Sequence, residues 1–228
     1  MSIGHNHGCM NYTKVAEKMR SRLTYRLVEF GLSLLYHPFA FMYDAVAWLV
    51  SAGQWRSWVL SSIPYLHGEI LEIAYGPGHL QSALAQSGNM VYGLDESQNM
   101  TFITARRLHK HRIFPRLVRG MAQAIPFPSD HFDTVVSTFP APFIQETGTI
   151  QELYRILKFQ GRLVILIVGQ MRSNAMLKRI PDTLLKITPQ EIPGIEDFCS
   201  KFTAPGFSAH LEWVHLPHSK VLYLIAYK

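Results

Sequence analysis

The ten residues Leu71-Glu-Ile-Ala-Tyr-Gly-Pro-Gly-His-Leu80 constrain this chain more than any other stretch, because an apolar run ends there in a glycine turn and opens a helix. Small residues at Ala74, Gly76 and Gly78 let the backbone bend sharply and let a ligand approach it closely, which larger side chains would block. Glu72, two residues before the turn, bears on the ligand's charge. A carboxylate there repels a pyrophosphate and attracts a group that carries an ammonium. Glycine turns also serve simply to bend a strand into a helix, so the turn alone leaves both readings open.

The elements downstream bear on that choice. Asn89-Met-Val-Tyr-Gly-Leu-Asp95 is a second short apolar run ending in an acid, 23 positions after Glu72. A carboxylate at the tip of a second strand is where a ribose diol can be held by two hydrogen bonds. Three further blocks follow: Gly120-Met-Ala-Gln-Ala-Ile-Pro-Phe127, His131-Phe-Asp-Thr-Val-Val-Ser-Thr-Phe139, and Glu152-Leu-Tyr-Arg-Ile-Leu-Lys158 running into Gly161-Arg-Leu-Val-Ile-Leu166. The alternation predicts strands near 69–74, 89–94, 115–119, 132–137 and 160–167, with helices near 78–87, 97–110 and 147–158. Such alternation argues for a parallel sheet covered on both faces. Proline joints at Pro181 and Pro189 to Pro193 point to short helices, and 210–216 with 220–227 reads as a closing antiparallel hairpin.

In this order and spacing the five blocks resemble the class I S-adenosylmethionine-dependent methyltransferases, in particular the small-molecule branch that includes the ubiquinone and menaquinone methyltransferases. The resemblance covers residues 68 to 167. It implies an α/β, Rossmann-like fold whose seven-stranded sheet is mostly parallel with a reversed last strand, with helices on both faces and an N-terminal helical cap. The division expected is a tail and cap over 1–62 and a methyltransferase domain over 63–228. The cofactor implied is S-adenosylmethionine, with Glu72 holding its amino group and Asp95, beside Glu96 and Ser97, gripping the ribose. The turn of Ala74, Tyr75, Gly76, Gly78 and His79 passes the methionine part. Met100, Met121 and Ala122 border the adenine, and Thr138 and Phe139 face the methyl end. An aromatic face near the sulfonium, from Tyr75, Phe139 or Tyr43, is favoured by cation–π attraction. The pair Tyr43-Asp44 matches a family position that lies over the cofactor and helps form the substrate pocket.

Five positions depart from the family pattern. Ala74 stands where glycine is usual, Tyr75 where the residue is small, and Met121 where an acid often contacts the adenine amino group, a role Gln123 could take. Phe159-Gln160 replaces the usual Pro-Gly before the fifth strand. Methyl transfer is mainly a matter of alignment, and the catalytic group is left unassigned, with His37 and Tyr43 as candidates and His79 as the other imidazole near the pocket. Two functions remain open: a methyltransferase acting on a small apolar or aromatic acceptor, and a non-catalytic module of the same fold that binds or assembles with partners. An NAD-dependent oxidoreductase fits poorly, because Glu72 sits beside the turn.

Composition narrows the rest. With 228 residues, 48% hydrophobic and 17% charged, one substantial folded domain is expected. Cys9 and Cys199 make no disulfide framework and no metal spacing, so no metal is expected and a cytoplasmic location is the simplest. His5, His7 and Cys9 read as a loose tail without a secretory layout. Residues 14–35 carry apolar and basic stripes of an amphipathic helix, able to pack on the domain, to dimerise or to lie on an anionic membrane surface. Between Glu96 and Asp130 there are six Lys and Arg and no acid. This basic flank reads as a solvated helix face, and without interleaved aromatics in a nucleic-acid signature no nucleic-acid partner is expected. Aromatic residues crowd 37–58, and the expectation is a helical lid that supplies the acceptor pocket.

Overall fold

The computed structural model describes residues 51, 53–171 and 195–228. The amphipathic stretch 14–35, His37, Tyr43-Asp44 and the proline-joined segment 172–194 lie outside the described residues.

Four residues of β1 (Ile70–Ile73) are apolar or carboxylic, and all are buried. A strand with both faces covered has this near-continuous apolar character. Beside it run β2 (Val91–Asp95), β3 (Leu117–Arg119), β4 (Phe132–Thr138) and β5 (Leu157–Met171), and the chain closes with β6 (Ser208–His215) and β7 (Ser219–Tyr227). They form one seven-stranded sheet in the order β3-β2-β1-β4-β5-β7-β6. The first five strands pair in parallel, and β7 pairs antiparallel with both β5 and β6, so the last strand is the reversed one.

Successive residues of a strand point to opposite faces, and the core divides accordingly. Leu71, Val135, Leu163, Ile165, Leu224 and Ala226 belong to one apolar layer, closed by α4 (Thr147–Ile156) and by Phe198 and Phe202 of α5 (Ile195–Thr203). Ile70, Val136, Val164, Leu166, Tyr223 and Ile225 belong to the other, closed by α1 (Trp55–Leu60) and by Leu80 and Leu84 of α2 (His79–Gln86). The remaining helix, α3 (Gln98–Lys110), follows β2 and packs beside α2 and the edge strand β3.

Helix α1 is fastened by Trp58. Its indole N–H donates to the Ser219 hydroxyl at 2.8 Å, and its ring lies against the backbone of Gly169, where a side chain would collide with it. The hydroxyls of Ser61 and Tyr223 are 2.6 Å apart and tie the following turn to β7.

The boundaries around β5 differ from the sequence reading. Helix α4 ends at Ile156, and β5 begins at Leu157 and continues to Met171, four residues past the expected end. Pairing explains both: Leu157 already pairs with Phe132, and the far half of β5 is extended by β7 from Val168 opposite Leu222 to Met171 opposite Ser219.

Candidate functional site

Strand order places the site. β1 is flanked by β2 on one side and β4 on the other: the connection from β1 runs to β2, while that from β3 crosses back to β4 on the far side, and this reversal of strand order opens a crevice at the carboxyl edge, where open α/β sheets bind ligands. Glu72, Asp95 and Thr138 come together there from β1, β2 and β4.

The turn after β1 is held by left-handed backbone. Ala74, Gly76 and Gly78 have φ of 54°, 52° and 75°. Glycine takes this conformation without penalty, whereas alanine is strained in it. The glycines serve different ends. A side chain at Gly76 would meet nothing within 4 Å, so the backbone there faces open space, while one at Gly78 would run into Thr104. Thr104 also donates its hydroxyl to the Gly76 carbonyl at 2.8 Å, bracing the turn against α3.

Asp95 completes the turn from the neighbouring strand. Its Oδ2 accepts the Gly76 N–H at 3.1 Å and its Oδ1 accepts the Ser97 N–H at 2.8 Å. Burial pushes its carboxyl above the ordinary value, and these two N–H donors pull in the opposite direction. Ser97 in turn caps α3, accepting the Met100 N–H at 3.3 Å, a usual use of serine before a first helical turn. Glu96 is exposed beside them and its carbonyl accepts the Arg119 side chain.

Glu72 is the most unusual group in the molecule. It is 1% exposed, and burial raises its carboxyl to about 8; repulsion from Asp95 adds to the rise, while the Gln81 side chain and backbone N–H groups oppose it by donating to the carboxylate. Its Oε2 nevertheless has no hydrogen-bond partner among the described residues. An unsatisfied buried carboxylate oxygen is costly, and a donor supplied by a ligand relieves it.

The remaining expected residues fall into two sets. Thr138, Phe139, Met121 and Gln123 stand at the open edge, with Gln123 donating to the Glu146 carboxylate at 2.7 Å. Ala122 and Met100 are buried, Met100 fully. Tyr75 does not present its face at the edge: it is 3% exposed, its ring lies over Gly93 of β2, and its hydroxyl is 2.8 Å from that of Thr101 on α3. The space a small residue would leave beside the turn is filled from within. His79 opens α2 and contacts the Arg107 guanidinium through its ring nitrogens.

At the β4 end the ring of Phe139, itself at φ 51°, stacks on Trp55 with centroids 4.3 Å apart and meets Trp58 at 6.1 Å. Two tryptophans of the aromatic stretch thus reach the strand that borders the crevice. Tyr43 and His37 lie outside the described residues.

Sequence reasoning missed Gln81, Thr101 and Thr104, which hold Glu72, Tyr75 and the turn. Hydroxyls at Thr101 and Thr104, three apart on a basic helix, were the available signal.

Residues 71–165 match a protein family described as a methyltransferase domain. Among curated proteins, the chain is 31% identical over 142 residues to a demethylmenaquinone methyltransferase of Symbiobacterium thermophilum, covering 58% of this chain and 57% of that protein. It is 34% identical over 140 residues to another from Clavibacter sepedonicus, covering 59% and 56%. The match thus spans little more than half the length of these relatives. Among solved structures, phosphoethanolamine N-methyltransferase 2 of Haemonchus contortus, in complex with phosphomonomethylethanolamine and S-adenosylhomocysteine, shares the fold at a TM-score of 0.60 and 17% identity, covering 86% of this chain and 59% of that one. The [4+2]-cyclase SpnF shares it at a TM-score of 0.54 and 17% identity, covering 76% and 80%. With the seven-stranded order, the acids at the ends of β1 and β2 and the glycine turn between them, these matches show a fold shared with methyltransferases and support, through residues 71–165, a likeness to the class I S-adenosylmethionine-dependent methyltransferases.

Proposed function

We propose that the protein is an S-adenosylmethionine-dependent methyltransferase whose acceptor is an apolar, aromatic small molecule of the demethylated quinol type. The observation that carries the cofactor reading is the buried Glu72 with its unpartnered oxygen, placed under a turn whose Gly76 backbone faces open space. This is what the ammonium of a methionine moiety requires: a carboxylate kept from water and a backbone without a side chain in the way. Asp95 is the group for the ribose hydroxyls, and Met121, Ala122 and Gln123 border the adenine side.

S-adenosylmethionine, when bound, supplies an electrophilic methyl on a sulfonium. The protein's own part is alignment and exclusion of water. Thr138 and Phe139 border the methyl end, and the Trp55–Phe139 stack offers an aromatic wall against which a flat acceptor ring can lie. An activated phenol or enol carbon needs no strong base, in keeping with a site whose described acids are committed to the cofactor. The quinol class is supported by the names of the curated relatives, which are demethylmenaquinone methyltransferases and ubiquinone/menaquinone C-methyltransferases.

The test is transfer of labelled methyl from S-adenosylmethionine to a demethylated quinol with a short prenyl tail, with calorimetric titration of S-adenosylhomocysteine beside it. Micromolar binding and labelled quinol are expected. Absence of binding to the folded protein overturns the cofactor reading; binding without transfer overturns the acceptor class.

A second reading has its own support. Tyr75 fills the space beside the turn and Ala74 is strained within it, and the fold is shared with a cyclase. A protein that uses the site without transferring methyl would bind S-adenosylhomocysteine and turn over no acceptor.

A further inference from the structure

The chain's net charge is +6, and six Lys and Arg without any acid lie between Glu96 and Asp130. Among the described residues these six cations are concentrated on one edge, made of α3, the connection after it and the edge strand β3. Among the described residues Arg106, Lys110, Arg112 and Arg116 form no ion pair with a carboxylate, and all four are exposed.

Large apolar side chains stand on the same edge. Phe102 is 69% exposed and lies one turn before Arg106, on the same face of α3. Phe114 is 82% exposed, at the tip of an apolar tripeptide, Ile113-Phe114-Pro115, enclosed by Arg112 and Arg116. Leaving a phenylalanine in water forgoes the gain of burying its ring, and two on one basic surface ask for a partner that is both anionic and apolar.

We propose that the α3–β3 edge is a docking surface for an anionic lipid bilayer, with Phe114 and Phe102 entering the boundary between headgroups and acyl chains and the surrounding cations lying among anionic headgroups. Both halves of the chemistry are complementary: basic side chains are drawn to anionic lipid, and aromatic rings partition into the interface. A nucleic acid matches the charge but not the arrangement. Base stacking needs rings set along a groove that tracks a strand, whereas here one ring stands on a convex helix face and the other at a loop tip. The proposal does not depend on the reading of the cofactor site.

The experiment is co-sedimentation of the full chain with large vesicles of phosphatidylcholine alone or containing 30% phosphatidylglycerol, at low and high salt. Binding to the anionic vesicles, absent from the neutral ones and lost at high salt, is expected. Lys110→Gln and Arg112→Gln should each weaken it about fivefold, and Phe114→Ser should weaken it by about tenfold or more, with melting temperature and S-adenosylhomocysteine binding unchanged. A Phe114→Trp variant should show a blue-shifted emission on adding anionic vesicles. No binding to anionic vesicles, binding unaffected by these substitutions, or an unshifted emission overturns the proposal. So does binding of a single-stranded RNA probe that the same substitutions abolish while vesicles fail to bind. None of these results bears on methyl transfer, so failure here is distinguishable from failure of the proposed function.

Discussion

The ends of β1 and β2 lie side by side and each carries a buried acid, yet the two acids are in opposite states. Asp95 is satisfied: both oxygens accept backbone N–H groups, one from the glycine turn and one from the cap of α3. Glu72 is not: Gln81 reaches it, but one oxygen has no partner among the described residues and its carboxyl is raised to about 8. The difference separates two jobs that a list of acids would merge. Asp95 builds the turn whether or not a ligand is bound, whereas Glu72 holds an electrostatic debt that a cationic ligand settles.

The largest expected effect comes from Glu72. Its folded value lies above the ordinary carboxyl value of 4.5, so folding favours the protonated form. The stability this form confers is complete below about pH 4.5 and is lost as pH rises to about 8. At about 1.4 kcal/mol per unit the loss is on the order of 5 kcal/mol as an upper bound. Denaturant titrations of the ligand-free protein between pH 5 and 8.5 should show the fall, and Glu72→Gln should flatten it. A profile that is the same in both proteins would place the orphan oxygen in contact with water. An ammonium beside Glu72 favours the ionised form, so cofactor affinity should rise with pH across the same window and calorimetry should detect proton release on binding.

Neutralising the other acid should do the reverse. Asp95→Ala leaves the Gly76 and Ser97 N–H groups unsatisfied, and the protein should lose about 3 kcal/mol of stability at neutral pH. Cofactor binding should weaken by about 10- to 100-fold with it, and Asp95→Asn, which keeps an acceptor, should recover part of both. Equal stability of the Ala and Asn variants would mean that the turn does not depend on this carboxylate.

Smaller effects separate strain at the site from strain elsewhere. Ala74 at φ 54° and Gln160 at φ 62° both hold left-handed backbone where the family carries glycine. Ala74→Gly should stabilise by about 1 kcal/mol, raising the melting temperature by about 2–4 °C, and should alter cofactor affinity because it lies in the turn. Gln160→Gly, at an exposed position of β5 between the paired residues Leu157 and Arg162, should stabilise by about 0.5 kcal/mol and leave affinity unchanged. A change of affinity in the second variant would show that the two ends of the sheet are coupled.

Much of this molecule was legible from local pattern. The alternation of apolar runs with helical stretches predicted every described strand to within a few residues except the far end of β5, and the reversed closing strand followed from the hairpin around Pro217. The acids after β1 and β2 and the glycine turn between them were visible because each signal is carried by neighbours in the chain: a period of two, a period of 3.6, or a small residue where the backbone must bend. The concentration of charge between Glu96 and Asp130 was equally visible, since counting needs no geometry.

What tertiary structure decided is how those residues are spent. Whether Tyr75 faces the crevice or the interior depended on Gly93 leaving room for its ring and on Thr101, 26 positions away, receiving its hydroxyl. The anchoring of α1 depended on Gly169 and Ser219, the latter 161 positions from Trp58. The states of Glu72 and Asp95 depended on which N–H groups the turn, α2 and the cap of α3 deliver to each strand end, and the exposure of Phe102 and Phe114 on the basic edge depended on α3 turning one outward and the connection to β3 carrying the other. The reason is the same in each case. Residue type and spacing set which groups a segment offers, but burial and pairing belong to surfaces made of segments far apart in the chain, and only folding brings those surfaces together.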